Sequence, residues 1–219
     1  MNKIKAVIFD YDGVIAESVN VKTDAFAELY KPYGMDIVQK VIKHHEANGG
    51  VSRFEKFKIY HKNYLKEDIT QLEIDVLASK FSNFVLQKVI DSPYVTGVYD
   101  FISSNYKNYD FHISTGTPSD EIETILKQKS LRKFFNEVYG SPEKKDSHVK
   151  KILKKYSYNK SEVVFIGDAL SDRDAARKND IYFVGRYTTV KEIKKEKLLI
   201  NDFSEIKNIL KKITTNERI

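Results

Sequence analysis

The sequence predicts an α/β protein, a doubly wound parallel sheet interrupted soon after its first strand by an all-helical insert. Three observations predict it. Ala6, Val7, Ile8 and Phe9 form an unbroken apolar run that stops at Asp10, with Asp12 and Gly13 close behind. Such a run, without helical or alternating period, marks a strand buried on both faces. Residues 17–91 hold no convincing strand but repeated helical periodicity, and from Tyr94 onward strands and helices alternate, as in a parallel sheet covered by helices.

Taken in order, Val21, Ala25, Phe26, Leu29 and Tyr30 fall at helical spacing, and Gly34 is a stop signal. Asp36 is expected to cap a second helix carrying Val38, Val41, Ile42 and His45, which ends at Asn48-Gly49-Gly50. Ser52 and Glu55 have capping-box spacing and open a third, with Phe54, Phe57 and Tyr64 inward. Thr70 and Glu73 repeat the signal before a fourth, whose expected apolar face is Leu72, Val76, Leu77, Phe81, Phe84, Val85 and Val89. Ser92-Pro93 ends that run. The helical insert is therefore bounded at 17–91, with residues 1–16 and 92–219 forming the α/β part; insertions of this kind often serve as lids.

Beyond it, Val95 to Tyr106 reads as a helix, Phe111 to Ile113 as a strand and Ser114-Thr115-Gly116-Thr117 as a loop. Thr117 is expected to cap a helix with Pro118 at its first position. Val138 to Gly140 is a short strand before a helix from about Asp146 to Tyr156. Val163 to Ile166 is a second strongly apolar strand ending in Gly167-Asp168, followed by a helix beginning near Ser171. Ile181 to Val184 is a further strand and Leu198 to Ile200 an edge strand.

Composition narrows the function. With 41% hydrophobic and 31% charged residues in 219, the chain is ordinary for a globular protein that buries a good core. It has no cysteine, which excludes disulfides, thiol catalysis and thiolate metal sites. No apolar run approaches the ~20 residues that span a bilayer, and the chain opens directly into a strand, so a cytoplasmic setting is expected without a secretory signal. The net charge of +6 is spread over helical segments, with modest clusters at Lys191–Lys197 and Lys207–Lys212. Scattered lysines read as solvated faces rather than a nucleic-acid surface. The five histidines show no metal-ligand spacing.

Four features fall at strand ends: Asp10-Tyr11-Asp12, Ser114-Thr115-Gly116, Lys144-Lys145, and Gly167-Asp168 with Ser171-Asp172. In open parallel sheets that is where ligands sit. Clustered carboxylates repel unless cations compensate, and Mg²⁺, which takes oxygen ligands, does so well. A hydroxyl, loop amides at a helix N-terminus and a lysine make a phosphate cradle. Taken together, the set suits phosphoryl transfer, in which positioning and charge neutralisation supply most of the catalysis. The plainer alternative for Asp168 and Asp172 is helix capping, and for Ser114 a satisfied strand-end hydroxyl.

These segments resemble the four motifs of the haloacid dehalogenase (HAD) superfamily, in order and across essentially the whole chain: VIFDYDGV, FHISTG, the lysine within GSPEKKDSHV, and VVFIGDALSD. The helical insert resembles that superfamily's C1-type cap on a Rossmann-like core. The resemblance implies a Mg²⁺-dependent phosphatase for a small phosphorylated metabolite of sugar-phosphate or phosphoglycolate type. It implies Asp10 as nucleophile, Asp12 as general acid and base, and Asp10, the Asp12 carbonyl, Asp168 and Asp172 as metal ligands. Ser114, Thr115 and Gly116 are implied to hold the phosphoryl group. Lys145 is implied to neutralise charge, and is preferred to Lys144 because it matches the GSP-x-x-K spacing. Gly49-Gly50-Val51-Ser52-Arg53 resembles the substrate-specificity loop, which points to Gly50 and Arg53 for substrate selection.

Within the superfamily a β-phosphoglucomutase-like phosphomutase shares this catalytic set. A phosphonatase needs a cap lysine, and cap lysines are plentiful. A dehalogenase lacks the second aspartate that Asp12 supplies. From another class, a non-catalytic anion-binding module would have lost a carboxylate that this chain keeps. Tyr11 and Glu17 depart from the commonest pattern of the first motif, at positions near the expected hinge.

Overall fold

The computed structural model describes residues 3–215; the outermost residues of the expected α/β part, 1–2 and 216–219, lie outside them. β1 (Ala6–Phe9) is followed by four helices: α1 (Val19–Tyr30), α2 (Met35–Ala47), α3 (Arg53–Tyr60) and α4 (Gln71–Asp91). Next come α5 (Val98–Asn105), β2 (Asp110–Pro118), α6 (Ser119–Gln128), β3 (Glu137–Ser141) and α7 (Lys145–Tyr156). The chain closes with β4 (Val163–Gly167), α8 (Leu170–Lys178), β5 (Tyr182–Arg186), β6 (Leu199–Ile200) and α9 (Ile206–Thr215). Among the described residues no helix is long and apolar enough to cross a membrane.

The strands form one six-stranded parallel sheet in the order β3-β2-β1-β4-β5-β6. This is a Rossmann-like doubly wound arrangement, and its order reverses between β1 and β4, where such sheets bind ligands. The sheet buries both faces, as the unbroken apolar runs require. Val7, Phe9, Val164 and Ile166 enter one core cluster, which continues into the helical insert. Ala6, Ile8, Val163 and Phe165 enter the other, beneath α7 and α8. Alternation along each strand sorts neighbours to opposite faces.

Phe9 anchors the larger cluster. Its ring lies 5.3 Å from Phe111, 6.0 Å from Phe135 and 6.1 Å from Phe203, centroid to centroid. In the insert, Phe26 plays the same part against Phe57, Tyr60 and Phe81. Ser52 caps α3 by accepting from Glu55 N, and Thr70 with Glu73 forms the capping box of α4.

Four local expectations are corrected. Gly34, not Asp36, precedes the first residue of α2, because its φ of 93° turns the chain directly from the preceding turn into the helix. The helix expected from Val95 begins at Val98, after Gly97 in the left-handed region. On α4 the buried stripe is Ile74, Ala78, Phe81, Val85 and Val89, while Leu72 (74% exposed), Val76 and Phe84 face outward; the helix carries apolar residues on more of its circumference than packing uses. Finally, β2 runs through Pro118, so Thr117 is a strand residue rather than a helix cap. Pairing with β3 as far as Ser141 holds the chain extended there.

Phe9→Ala removes the ring shared by four other phenylalanines. It is expected to lower unfolding free energy by about 3–5 kcal/mol in urea titration. A loss below about 1 kcal/mol would contradict this packing.

Candidate active site

The ends of β1 and β4 bring the first and fourth motifs together at the sheet's reversal point. Each of Asp10, Asp168 and Asp172 offers a carboxylate oxygen within 4.8 Å of the others. Lys145, at the start of α7, sits among them: its Nζ lies 2.9 Å from Asp10 Oδ2 and 2.6 Å from Asp172 Oδ1. Lys144 precedes the helix and makes no such contact. Burial acts to lower the proton affinity of Lys145, but Asp10 and Asp172 outweigh it and push it well above the ordinary lysine range.

The carboxylates register the crowding. Burial, then the charges of Asp10 and Asp172, raises Asp168 well above the usual carboxylate range. Asp172 is pushed up to about 7 by burial, with Lys145 opposing and Asp10 adding to the shift. Asp172 also accepts from Ala169 N at 3.1 Å, so the capping role weighed from the sequence is present beside the cluster contact. Gly13 is needed here: at φ 77°, a Cβ on it would come within 2.2 Å of Asp168 Oδ2.

Asp12 belongs to a second constellation. Ser18 Oγ donates to its Oδ1 at 2.6 Å, Thr117 Oγ1 donates to its Oδ2 at 3.2 Å, and Lys22 pairs with that same oxygen. Lys22 Nζ also reaches Thr117 Oγ1 at 2.6 Å. Burial would raise the Asp12 carboxyl, but the Lys22 charge and these hydrogen bonds leave it below its ordinary value.

The second motif divides between two faces. Thr115 and Gly116 line the same cavity as Asp10 and Asp12. Ser114 does not. Its Oγ is buried against His148 Nδ1 at 2.9 Å, on the α7 side of the sheet. The expectation that its hydroxyl holds phosphate is corrected by strand alternation, which turns Ser114 and Thr115 to opposite faces.

The cavity, of about 380 Å³, lies between these strand ends and the helical insert. Gly49 and Gly50 close over it: Ser171 Oγ donates to Gly49 O at 3.0 Å, and a Cβ on Gly116 would meet Gly50 O at 2.5 Å. Arg53 also lines it but is 4% exposed and forms a two-pronged pair with Glu121, at 2.8 and 3.0 Å, while bonding Ser82. Its guanidinium is thus held by the protein itself. Tyr11 is fully buried core, and Glu17 pairs with Arg186 at the cavity rim.

Lys22, His45, Lys56, Thr117, Glu121 and Arg186 were not assigned to the site from the sequence. One signal was available for Lys22: a cation in the opening turns of a helix opposes the macrodipole and asks for a reason. The others depend on which helix faces pack together.

The donor set fits a divalent metal ion. It is all oxygen, closely spaced, and holds one ammonium among three carboxylates, which leaves negative charge for a cation such as Mg²⁺ to neutralise.

Comparison with known proteins agrees with the fold and the motif order. Residues 7–186 match the family of haloacid dehalogenase-like hydrolases, and the chain belongs to it. A search of curated proteins gives no match. Among solved structures it is similar to a predicted phosphoglycolate phosphatase from Haemophilus somnus, with TM-score 0.74, 18% identity, and coverage of 95% of this chain and 99% of that one. It is also similar to a β-phosphoglucomutase from Clostridium difficile (0.76, 19%, 97% and 99%) and to YfnB from Bacillus subtilis, whose structure is bound to magnesium (0.69, 18%, 96% and 100%). At these identities the likeness shows the shared fold.

Lys145→Met leaves the carboxylates without their buried cation. In EDTA at pH 7 it is expected to cost about 3–5 kcal/mol by denaturant unfolding. Because Asp168 and Asp172 titrate above their ordinary value near 3.8, the stability they contribute is full below that value and lost as pH rises, for Asp172 through about 7. The deficit of the variant should therefore shrink at pH 5. An equal deficit at both values would contradict the charge argument.

Proposed function

We propose that the protein is a phosphatase for small phosphorylated metabolites, with the α/β part (1–16 and 92–219) as catalytic core and residues 17–91 as its cap. The observation that carries the reading is Asp10: held by Lys145 beside Asp168 and Asp172, it faces a cavity that Asp12 also lines.

In this reading an Asp10 carboxylate oxygen attacks phosphorus, the bond to the leaving oxygen breaks, and an aspartyl-phosphate forms. Lys145 holds the unreacting side of Asp10 and fixes the direction of attack. Thr115, through its hydroxyl and amide, and the Gly116 amide cradle the phosphoryl oxygens; Ser114 supports the strand through His148. Asp12 protonates the leaving alcohol and afterwards takes a proton from the water that splits the acyl-phosphate. Lys22 keeps Asp12 ionised, which suits the second task. The first requires Asp12 to take up a proton, from solvent or from the arriving phosphomonoester, as the substrate draws Lys22 away from it. Asp10, the Asp12 carbonyl, Asp168 and Asp172 would hold Mg²⁺, which when bound supplies charge neutralisation at the phosphoryl group.

A second reading, a phosphomutase, is favoured by the insert's close seating. The contacts Ser171–Gly49 and Arg53–Glu121 tie it to the core and would exclude water while a phosphoryl group is returned to an isomer.

Asp10→Asn and removal of divalent metal are each expected to reduce phosphate release from a metabolite panel by at least about 10³-fold. Undiminished turnover in either would overturn the proposal. Sugar-phosphate isomerisation without phosphate release would select the mutase.

A further inference from the structure

Among the described residues four cations line the cavity: Lys22, Arg53, Lys56 and Arg186. Three are matched to carboxylates, Lys22 to Asp12, Arg53 to Glu121 and Arg186 to Glu17. Lys56 is different. It is 1% exposed, and its Nζ contacts His45 Nδ1 at 2.8 Å, with no carboxylate within ion-pair distance among the described residues. Burying an ammonium without a counter-charge is costly.

The surroundings sharpen the contrast. Burial drives His45 down to about 2, so its ring is neutral and offers Lys56 an acceptor but no charge. Burial, reinforced by the charges of Lys22 and Lys145, brings Lys56 itself down to about 7, with Asp12 acting weakly the other way. An ammonium has three donors; one goes to His45 Nδ1, which leaves the others for a ligand. With Nδ1 accepting, the His45 tautomer carries its proton on Nε2, a further donor. Phe26 and Phe81 give this end of the cavity an apolar wall. A bound anion would complete the pairing that the protein omits. Arg53, stacked over Phe81 at 4.3 Å and spent on Glu121, does not compete for it.

We propose that Lys56, with His45 beside it, docks a second anionic group on the alcohol half of the substrate. The substrate class is then a small phosphomonoester bearing a carboxylate or a second phosphoryl group, rather than an uncharged sugar phosphate. The assignment rests on the phosphatase reading for where the reacting phosphoryl group sits.

Calorimetric titration of the full chain in magnesium buffer tests it with unreactive probes. Phosphonoacetate and 3-phosphonopropionate carry a carboxylate, propane-1,3-diphosphonate carries a second phosphoryl group, and ethylphosphonate and 2-hydroxyethylphosphonate carry neither. The wild-type protein is expected to bind at least one anionic class at least about tenfold more tightly than the neutral probes, and the two anionic arms tell carboxylate from phosphoryl. Lys56→Met should abolish the preference and Lys56→Arg keep part of it, with Lys56→Gln measured in place of Met should the latter fail to fold. No preference in the wild type, or an undiminished one in Lys56→Met, overturns the proposal. Aryl phosphate turnover without an anion preference removes the subsite and leaves the phosphatase. A Lys56-dependent preference without turnover of any ester does the reverse.

Discussion

The contact on which the site depends is the Lys145 ammonium held between Asp10 and Asp172. Three carboxylates that crowd within 4.8 Å, two of them fully buried, would repel one another strongly without it. Their placement follows from the sheet: β1 and β4 are neighbours, both end at the same level, and the order of strands reverses between them. The helix that supplies Lys145 follows β3, which is separated from β4 by β2 and β1. From the first turn of α7, Lys145 reaches both Asp10 and Asp172. Its burial is tolerated because two anions meet its head.

The helical insert is organised by a comparable rule applied to its own charges. Arg53 and Ser82 reach across to Glu121 on α6, Lys22 reaches Asp12 and Thr117, and the Gly49-Gly50 turn rests on Ser171 and Gly116. Each link joins the insert to a strand end or to the helix that follows one. The aromatic cluster around Phe26 holds the insert's helices to one another. The polar links, by contrast, connect it to the chemistry. Nonpolar packing therefore shapes the insert, and ion pairs set how it sits.

Within this network Asp12 and Lys56 are opposites. Asp12 is an anion with two hydroxyl donors and a partner cation, and Lys56 is a cation with a neutral histidine. Physical chemistry tolerates the first as a finished arrangement. The second stands out because most buried charges are matched inside the protein. Sites that bind a ligand are where such a local rule is expected to be broken.

The sequence by itself determined the strands, the insert and the family. Unbroken apolar runs at 6–9 and 163–166 required a sheet covered on both sides, and four motifs in order at strand ends identified a haloacid dehalogenase-like hydrolase. It also carried Asp10, Lys145, Asp168 and Asp172, because each stands at an element boundary that local pattern marks. What only the tertiary structure decided was direction. Whether Ser114 or Thr115 faces the cavity turns on a two-residue period whose phase depends on pairing with β3. Whether Thr117 caps a helix or bonds Asp12, whether Arg53 is free or paired to a residue 68 positions away, and whether Lys56 is solvated or enclosed all depend on partners from distant segments. Spacing along a chain reports which residues share a face of one element. It carries no information about which faces meet, because that is settled by burial summed over the whole core.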